Sequence, residues 1–462
     1  MKRAYAEYRA SGLPGTGDIP AHWRVADLGR VGSFFKGGGG TKDDETDEGH
    51  PCVRYGDLYT QHEFCVTETR SRISPERTGA YTQLQYGDLL FAGSGETLEE
   101  IGKSAVNLLQ EPTYCGGDVI ILRPDVDIDA TFLGYAADCA PSRHEKACMG
   151  RGVTVMHIYS AGLKKLAIPL PPLDEQVQIS AYLDLETTQI DKLISKQELL
   201  IERLDEYRTA LITRTVTRGL PPEAAEASRL DPIPALRDSG VEWLGDVPAH
   251  WRLTDLCRIG SFSKGGGGTK EDETAEGLPC IRYGDLYTRH DFHIHECRAR
   301  IDPERATAYT QLHYGDLLLA GSGETLEEIG KSAVNLLREQ AFCGGDVVIF
   351  RPEVDIDATF LGYAADCSLS RHQKSCMGRG VTVMHIYSSA LKKLAIPLPP
   401  LGEQVQIGVY LDAQSKRIDE LRERAELSIE RLAEYRSALI SAAVTGKIDV
   451  RDTASAGSGG GA

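Results

Sequence analysis

Residues Gly93–Val106 read GSGETLEEIGKSAV, and the same fourteen letters return at Gly321–Val334. The Gly-Lys-Ser ending resembles a phosphate-cradling loop, which needs Gly, four residues, then Gly-Lys-Ser/Thr. Here six residues separate Gly95 from Gly102, and Thr97 stands where the first glycine belongs. A turn followed by a short amphipathic segment is the simpler reading. Gly37–Gly40, followed by Thr41 and Lys42, fails the same test and reads as a loop through which backbone could approach a ligand closely. The carboxylates of Arg123–Asp129 (RPDVDID) have no Glu-x-Lys partner, and Glu145 is replaced by Gln373 in the second copy, so metal-dependent nuclease chemistry is disfavoured. His293, His295 and Cys297 are matched by Cys65, Thr67 and Thr69, which dissolves that ligand run. Cys115, Cys139, His144 and Cys148 do recur, as Cys343, Cys367, His372 and Cys376. They offer four zinc ligands per copy, at a spacing unlike a standard finger, against the alternative of small buried thiols. No catalytic triad, Rossmann glycine motif or Asn/Asp-Pro-Pro-aromatic motif stands out. The chain reads as a non-catalytic recognition protein with no metal of its own.

The elements that must carry these residues follow from one offset. Gly37 corresponds to Gly265, a shift of 228 residues (265 − 37), which also relates Trp23 to Trp251, Arg151 to Arg379 and Leu183 to Leu411 without a gap. A repeat this long makes two similar domains, not a solenoid. Each copy begins with a Gly-rich stretch of short β-like runs and ends in a segment free of Pro and Gly (174–218 in the first). There Leu183, Ile190, Leu204 and Leu211 keep a heptad spacing, with Leu193, Leu200 and Tyr207 three places on and Gln197 as a polar slot. Each such helix would span roughly 65 Å and must bury its stripe, which the two helices do by pairing, antiparallel under a pseudo-twofold axis. The fold class is therefore α+β: two mixed α/β domains separated by two long coiled-coil helices. The expected boundaries are 1–173, helix 174–218, linker 219–238, 239–401, helix 402–447 and a disordered tail 448–462.

At 462 residues the chain exceeds one core. No apolar run is long enough to cross a membrane and the N-terminus lacks a secretory h-region, while eleven scattered cysteines fit a reducing cytoplasm. A net charge of −17 argues weakly against simple electrostatic binding to nucleic acid, without excluding basic residues gathered on one face.

Each helix is introduced by the same junction, IPLPPLDEQVQI at Ile168–Ile179 and IPLPPLGEQVQI at Ile396–Ile407. With two globular domains alternating with two helices, the chain resembles the DNA-specificity subunit of type I restriction–modification systems. The Pro-Pro-Leu-x-Glu-Gln pattern at Pro171–Gln176 and Pro399–Gln404 carries most of the likeness. The resemblance implies two target-recognition domains, each reading half of a bipartite duplex DNA site. It implies paired helices that hold two modification subunits, and these bind S-adenosylmethionine and methylate adenine. Whether ATP-driven restriction subunits join them is left open. Members usually carry dissimilar recognition domains; this chain nearly duplicates its own, so the half-sites should be near-identical and inverted around an unread spacer. The alternative is a coiled-coil scaffold presenting two lobes for ligands other than DNA.

For DNA contact, side chains that grip phosphates or read base edges qualify. Lys36, Thr41, Lys42, Arg54 and Tyr55 flank the glycine loop, with Lys264, Thr269, Lys270, Arg282 and Tyr283 as counterparts. A second set is Arg70, Arg72, Tyr81, Ser94 and Lys103, with Arg298, Arg300, Tyr309, Ser322 and Lys331. A third is Arg143, Lys146 and Arg151, with Arg371, Lys374 and Arg379. The copies differ at Gln61/Arg289, Cys65/His293, Gln85/His313 and Glu145/Gln373, where a base-contacting pair would make the half-sites differ.

Overall fold

A computed structural model describes residues 4–241, 244–267, 272–380 and 382–451. Thr269, Lys270, the Lys42 side chain and residues 452–462 of the expected tail lie outside the described residues. The chain forms two compact units, one of Met1–Gln197 with Glu426–Ala462, the other of Glu198–Ala425. Each unit therefore holds one recognition domain, the start of the helix that follows it, and the last stretch of the other long helix.

In the first unit one sheet is ordered Gly32–Lys36, Val119–Pro124, Leu89–Ala92, Ser104–Asn107, Cys65–Val66, antiparallel except at the last pairing. The central LLFA strand is buried on both faces because the pleat divides it between two cores. Leu89 and Phe91 pack with Phe132 and Leu133 of helix Ala130–Asp138. Leu90 and Ala92 pack with Leu58 of helix Tyr55–Thr60. A second sheet runs Glu45–Thr46, Arg72–Ile73, His50–Val53, Thr113–Cys115, Thr82–Leu84. The second unit repeats both sheets in the same order.

The long helices span Leu173–Arg218 and Leu401–Val444. In the first unit Ile190 and Ile194 share a core with Leu432, Leu439 and Ile440, and Asp191 meets Arg436 at 2.9 Å. In the second, Asp205 meets Arg422 at 3.4 Å and Arg208 meets Asp419 at 3.2 Å. Three residues forward on one helix are thus matched by three back on the other: the pairing is antiparallel. Arg208–Asp419 and Arg436–Asp191 occupy equivalent positions, whereas Arg422 and Asp205 are replaced by Ile194 and Ala433 in the first unit.

The phase of the seam differs from the expected one. Leu183, Ile190 and Leu211 are buried and Leu204 and Gln197 half-buried, but Leu193, Leu200 and Tyr207 are 45%, 43% and 54% exposed. The second inward row lies four residues after the first, not three: Thr187, Ile194, Ile201, Arg208 and Thr215. An apolar stripe is consequently left on the outside of each helix, including Leu199 and Tyr207 and their counterparts Leu427 and Tyr435.

Parts of the expected linker and of the expected disordered tail are folded. Within 219–238, Pro222–Ala227 is helical, Leu236–Asp238 is a strand, and Leu220 and Ala225 join a core with Trp251. Of the tail from 448, Val450 is 2% exposed in the first unit's core and the Arg451 guanidinium lies 4.8 Å from the Tyr5 ring centroid.

Candidate nucleic-acid interface

Strand register gathers much of the candidate set at one end of the first sheet. Lys36 pairs opposite Ile120, Ala92 opposite Val119, and Phe91 opposite Ser104. The glycine loop after Lys36, the Gly116–Asp118 turn, Gly93–Gly95 and Lys103 all meet at that edge. The Asp118 carbonyl accepts from the Gly93 N–H at 2.7 Å, and the Val119 carbonyl from the Gly37 N–H at 2.8 Å. Helix Tyr55–Thr60 closes over the same end: the Tyr59 hydroxyl donates to the Ser94 carbonyl at 2.9 Å and Lys103 Nζ reaches the Tyr59 carbonyl at 3.5 Å.

The glycine loop serves the protein's own backbone first. A Cβ on Gly37 would lie 2.1 Å from the Gly116 oxygen, and one on Gly38 2.5 Å from the Ala80 oxygen. The expected role, approach to a ligand, is therefore corrected at these two positions: chain crosses chain there, and no side chain fits. Arg54 donates from Nη2 to the Thr41 carbonyl at 3.3 Å, while Thr41 itself is exposed. The Tyr81 hydroxyl donates to Asp44 at 3.1 Å. The Thr41 N–H, aided by Tyr81 and Arg77, holds the Asp44 carboxyl below its usual range. Burial and that same carboxylate push the Tyr81 phenol up to about 12, so it stays a donor to Asp44 and forms a wall more than a contact. Gly40, Arg54, Tyr55, Tyr81 and Gly116 line a cleft of about 640 Å³.

The second unit has a cleft of about 410 Å³ of its own, lined by Lys264, Ser322, Asp346, His385 and Tyr387. Ser322 Oγ lies 3.0 Å from His385 Nδ1, as Ser94 Oγ lies 3.0 Å from His157 Nδ1. Lys36 and Lys264 are exposed at this edge, Tyr55 and Tyr283 are each 43% exposed, and Arg151 and Arg379 are exposed beside the histidines. Arg282 and Tyr309 repeat the placements of Arg54 and Tyr81, with Arg282 3.0 Å from Glu273 and Tyr309 donating to Asp272 at 3.0 Å. Lys331 differs from Lys103 in pairing with Asp291 at 2.9 Å.

Other candidates fall elsewhere. Lys146 and Lys374 are fully buried, with Nζ 2.6 Å from Asp138 and 2.7 Å from Asp366, and cannot touch DNA. Burial alone pulls such an ammonium down; the adjacent carboxylate opposes it. Arg143 and Arg371 bind the outer oxygens of the same two carboxylates at 2.7 Å, and they face the long helices, not the sheet end. Arg72 and Arg300 donate at 2.8 Å to the carbonyls of Gly49 and Gly277, bracing the second sheet. Arg70 and Arg298 are exposed.

The phosphate-loop likeness ends in the same geometry. Lys103-Ser104 enters a strand, Ser104–Asn107, and not the helix that a nucleotide loop needs; of the expected amphipathic segment, the first part is an exposed turn and only the end, from Ser104, is a buried β-strand. Ser104 is buried and accepts from Lys146 Nζ at 3.0 Å. The proposed zinc ligands are dispersed: Cys115 lies in the core with Leu90, Cys139 in the core with Phe132, and His144 and Cys148 are exposed. Burial pushes the Cys115 and Cys139 thiols up, against the thiolate that zinc requires. Among the described residues no group of three His, Cys, Asp or Glu is placed to hold a metal ion.

Residues that reasoning from sequence overlooked include His157, Tyr159 and the pair Phe35/Ser263. The stretch MGRGVTVMHIYS is identical at Met149–Ser160 and Met377–Ser388, which was the available signal.

The family described as "Type I restriction modification DNA specificity domain" matches residues 20–203 and again 251–431. The chain belongs to the type I DNA specificity family. This specificity subunit is 22% identical over 456 residues to the EcoKI specificity subunit of Escherichia coli K12, covering 94% of this chain and 90% of that one. Among solved structures, a chain from a type I R-M system studied for complex assembly and conformational transition superposes with a TM-score of 0.68 at 18% identity, covering 93% of this subunit and 99% of that chain. The HsdS subunit from Thermoanaerobacter tengcongensis gives 0.52 at 18%, covering 93% and 98%. At such identity the two structures speak to the fold alone. No helix among the described residues of the specificity subunit is long and apolar enough to cross a membrane.

Proposed function

We propose that this specificity subunit reads a bipartite duplex DNA target whose half-sites are near-identical and inverted, and directs adenine methylation there by two modification subunits. The observation that carries this reading is the repeated sheet end: Lys36/Lys264, Tyr55/Tyr283, Ser94/Ser322 and Arg151/Arg379 stand in equivalent places in the two units. Exposed cationic side chains there supply phosphate contacts, and the Ser–His pairs and tyrosines supply groups for base edges. The apolar stripes left outward on the long helices, Leu199 and Tyr207 in one and Leu427 and Tyr435 in the other, suit docking of the modification subunits. Those subunits carry the S-adenosylmethionine and contribute their own grip on DNA, which eases the conflict with a net charge of −17. ATP-driven restriction subunits, if this system has them, form a separable layer on that assembly, and its place is the cytoplasm.

The differences between copies limit how far the half-sites diverge. His293 is buried, with Nε2 2.8 Å from the Thr359 carbonyl. Gln373 Nε2 donates to the Ala395 carbonyl at 3.0 Å, and the Gln85 carbonyl accepts from Asn107 at the far end of the sheet. Of the four polar pairs, only Gln61/Arg289, closing the helix that carries Tyr55/Tyr283, adjoins the proposed surface. Phe35/Ser263 on the edge strand is a further difference beside it. Methylome sequencing of cells expressing the subunit with its modification partner should give one inverted motif with half-sites equal at all but one or two positions. Two unrelated half-sites would overturn the symmetric reading.

A further inference from the structure

Between Arg151 and His157 the chain makes a tight hairpin whose exposed tip has no structural reason to be apolar. Arg151 and His157 exchange both backbone hydrogen bonds, at 2.9 and 2.8 Å. Gly152, at φ 147°, closes the turn, and a Cβ there would lie 2.0 Å from the Val155 oxygen. His157 is stapled to the sheet end through Ser94–Gly95, which pairs with Met156–His157. At the tip, Val153 is 96% exposed and Val155 47%, flanked by exposed Arg151 and Thr154. In the second unit Arg379–Gly380, Met384–His385 and Ser322–Gly323 form the corresponding three-stranded sheet, with Val383 48% exposed. A base closed by paired backbone hydrogen bonds, a cation beside it and a β-branched apolar tip are what a hairpin needs to enter a DNA groove. The cation meets phosphate, and the apolar tip meets a thymine methyl or a base face.

We propose that the hairpin Arg151–His157 is the groove-entering element of the first recognition domain, with Val153 contacting bases and Arg151 a phosphate; this rests on the DNA-reading function above. Because the segment is identical in the second copy, the two hairpins read the same feature of each half-site. Each is paired to the sheet end of its own unit, through Ser94–Gly95 beside Lys36 in the first and Ser322–Gly323 beside Lys264 in the second, so phosphate and base contacts of one half-site come from one domain.

The test uses the full subunit with its modification partner. Val153→Asp should lower methylation of the wild-type motif about 10-fold, and Val153→Ala should relax discrimination at one position of a single half-site, leaving the other half intact. Val153→Ile should retain both. Arg151→Gln should weaken binding alike on all sequences and reduce the slope of log affinity against log salt by about one. Val153 is 96% exposed, so its variants should keep the hydrogen-exchange protection of the wild-type domain. Wild-type motif and rate in Val153→Asp would overturn the hairpin's role while leaving the subunit a DNA reader. A wild-type complex that methylates without sequence preference would instead overturn the DNA-reading function itself.

Discussion

Replacing Lys146 with Met should destabilise the first recognition domain by about 3 kcal/mol, because it strands a buried carboxylate. Asp138 is 1% exposed; it takes Lys146 on Oδ1 at 2.6 Å and Arg143 on Oδ2 at 2.7 Å, and Oδ1 also accepts from the Ser104 N–H at 3.1 Å. Met fills the space of the lysine stem but leaves Oδ1 with the serine alone. Arg143 remains, its side chain 43% exposed, which places the loss at the low end of what breaking a buried pair costs. The chain holds two units, so a single unfolding free energy is ill-defined, and hydrogen exchange is the proper measure. Protection should fall in Ser104–Asn107 and Ala130–Asp138, which Asp138 joins, while the equivalent peptides around Lys374 keep theirs. By contrast, Lys36→Met, at an exposed position, should leave protection unchanged and weaken DNA binding. Equal protection in Lys146→Met and wild type would mean that the ion pair contributes nothing to the domain.

What could be read from sequence, and what could not, divides along physical lines. The 228-residue offset established two like units, because duplicated chain folds alike. The long helices were legible from heptad spacing and the absence of Pro and Gly. The seam's phase was not: Leu193 and Ile194 are equally apolar, and only the antiparallel partner decides which turns inward. Lys146 looked like a DNA contact because it is a lysine between His144 and a glycine; its partner Asp138 lies two turns earlier across a helix break. A buried ion pair leaves no hydrophobic trace. Gly37 and Gly38 escape a sequence reading for a similar reason, since the backbone that excludes side chains there belongs to Gly116 and Ala80. The hairpin at Arg151–His157 was present only as an identical stretch, and its exposure needed coordinates.

The junction motif gains a cause from the structure, and with it the second large expectation. In Pro-Pro-Leu-x-Glu-Gln, Gln176 is 2% exposed, accepts from the Asp129 N–H at 2.9 Å and donates to the Pro171 carbonyl at 2.9 Å. Gln404 repeats both bonds with Asp357 and Pro399 at 2.9 and 2.8 Å. Glu175 accepts from Trp23 Nε1 at 2.9 Å and Tyr5 Oη at 3.2 Å. Asp129 in turn caps helix Ala130–Asp138 through the Phe132 N–H at 2.8 Å, and Tyr135 donates to Asp184 two turns further along the long helix. The motif thus fixes the angle between recognition domain and helix, which a Leu-rich contact alone would leave free to slide. Gln176→Ala leaves a part-buried N–H and a buried carbonyl without partners, at roughly 2–4 kcal/mol for the two together. Gln176→Glu should be no better, since it keeps an acceptor for Asp129 but turns an anion on the Pro171 oxygen. The expected results are faster hydrogen exchange over Asp129–Tyr135 and a lower methylation rate at every site with an unchanged motif. The variant keeps the proposed base-reading residues at the far end of the domain while their placement against the helix is lost. Wild-type protection and rate in Gln176→Ala would show that the helix–domain angle is set by apolar packing without the junction.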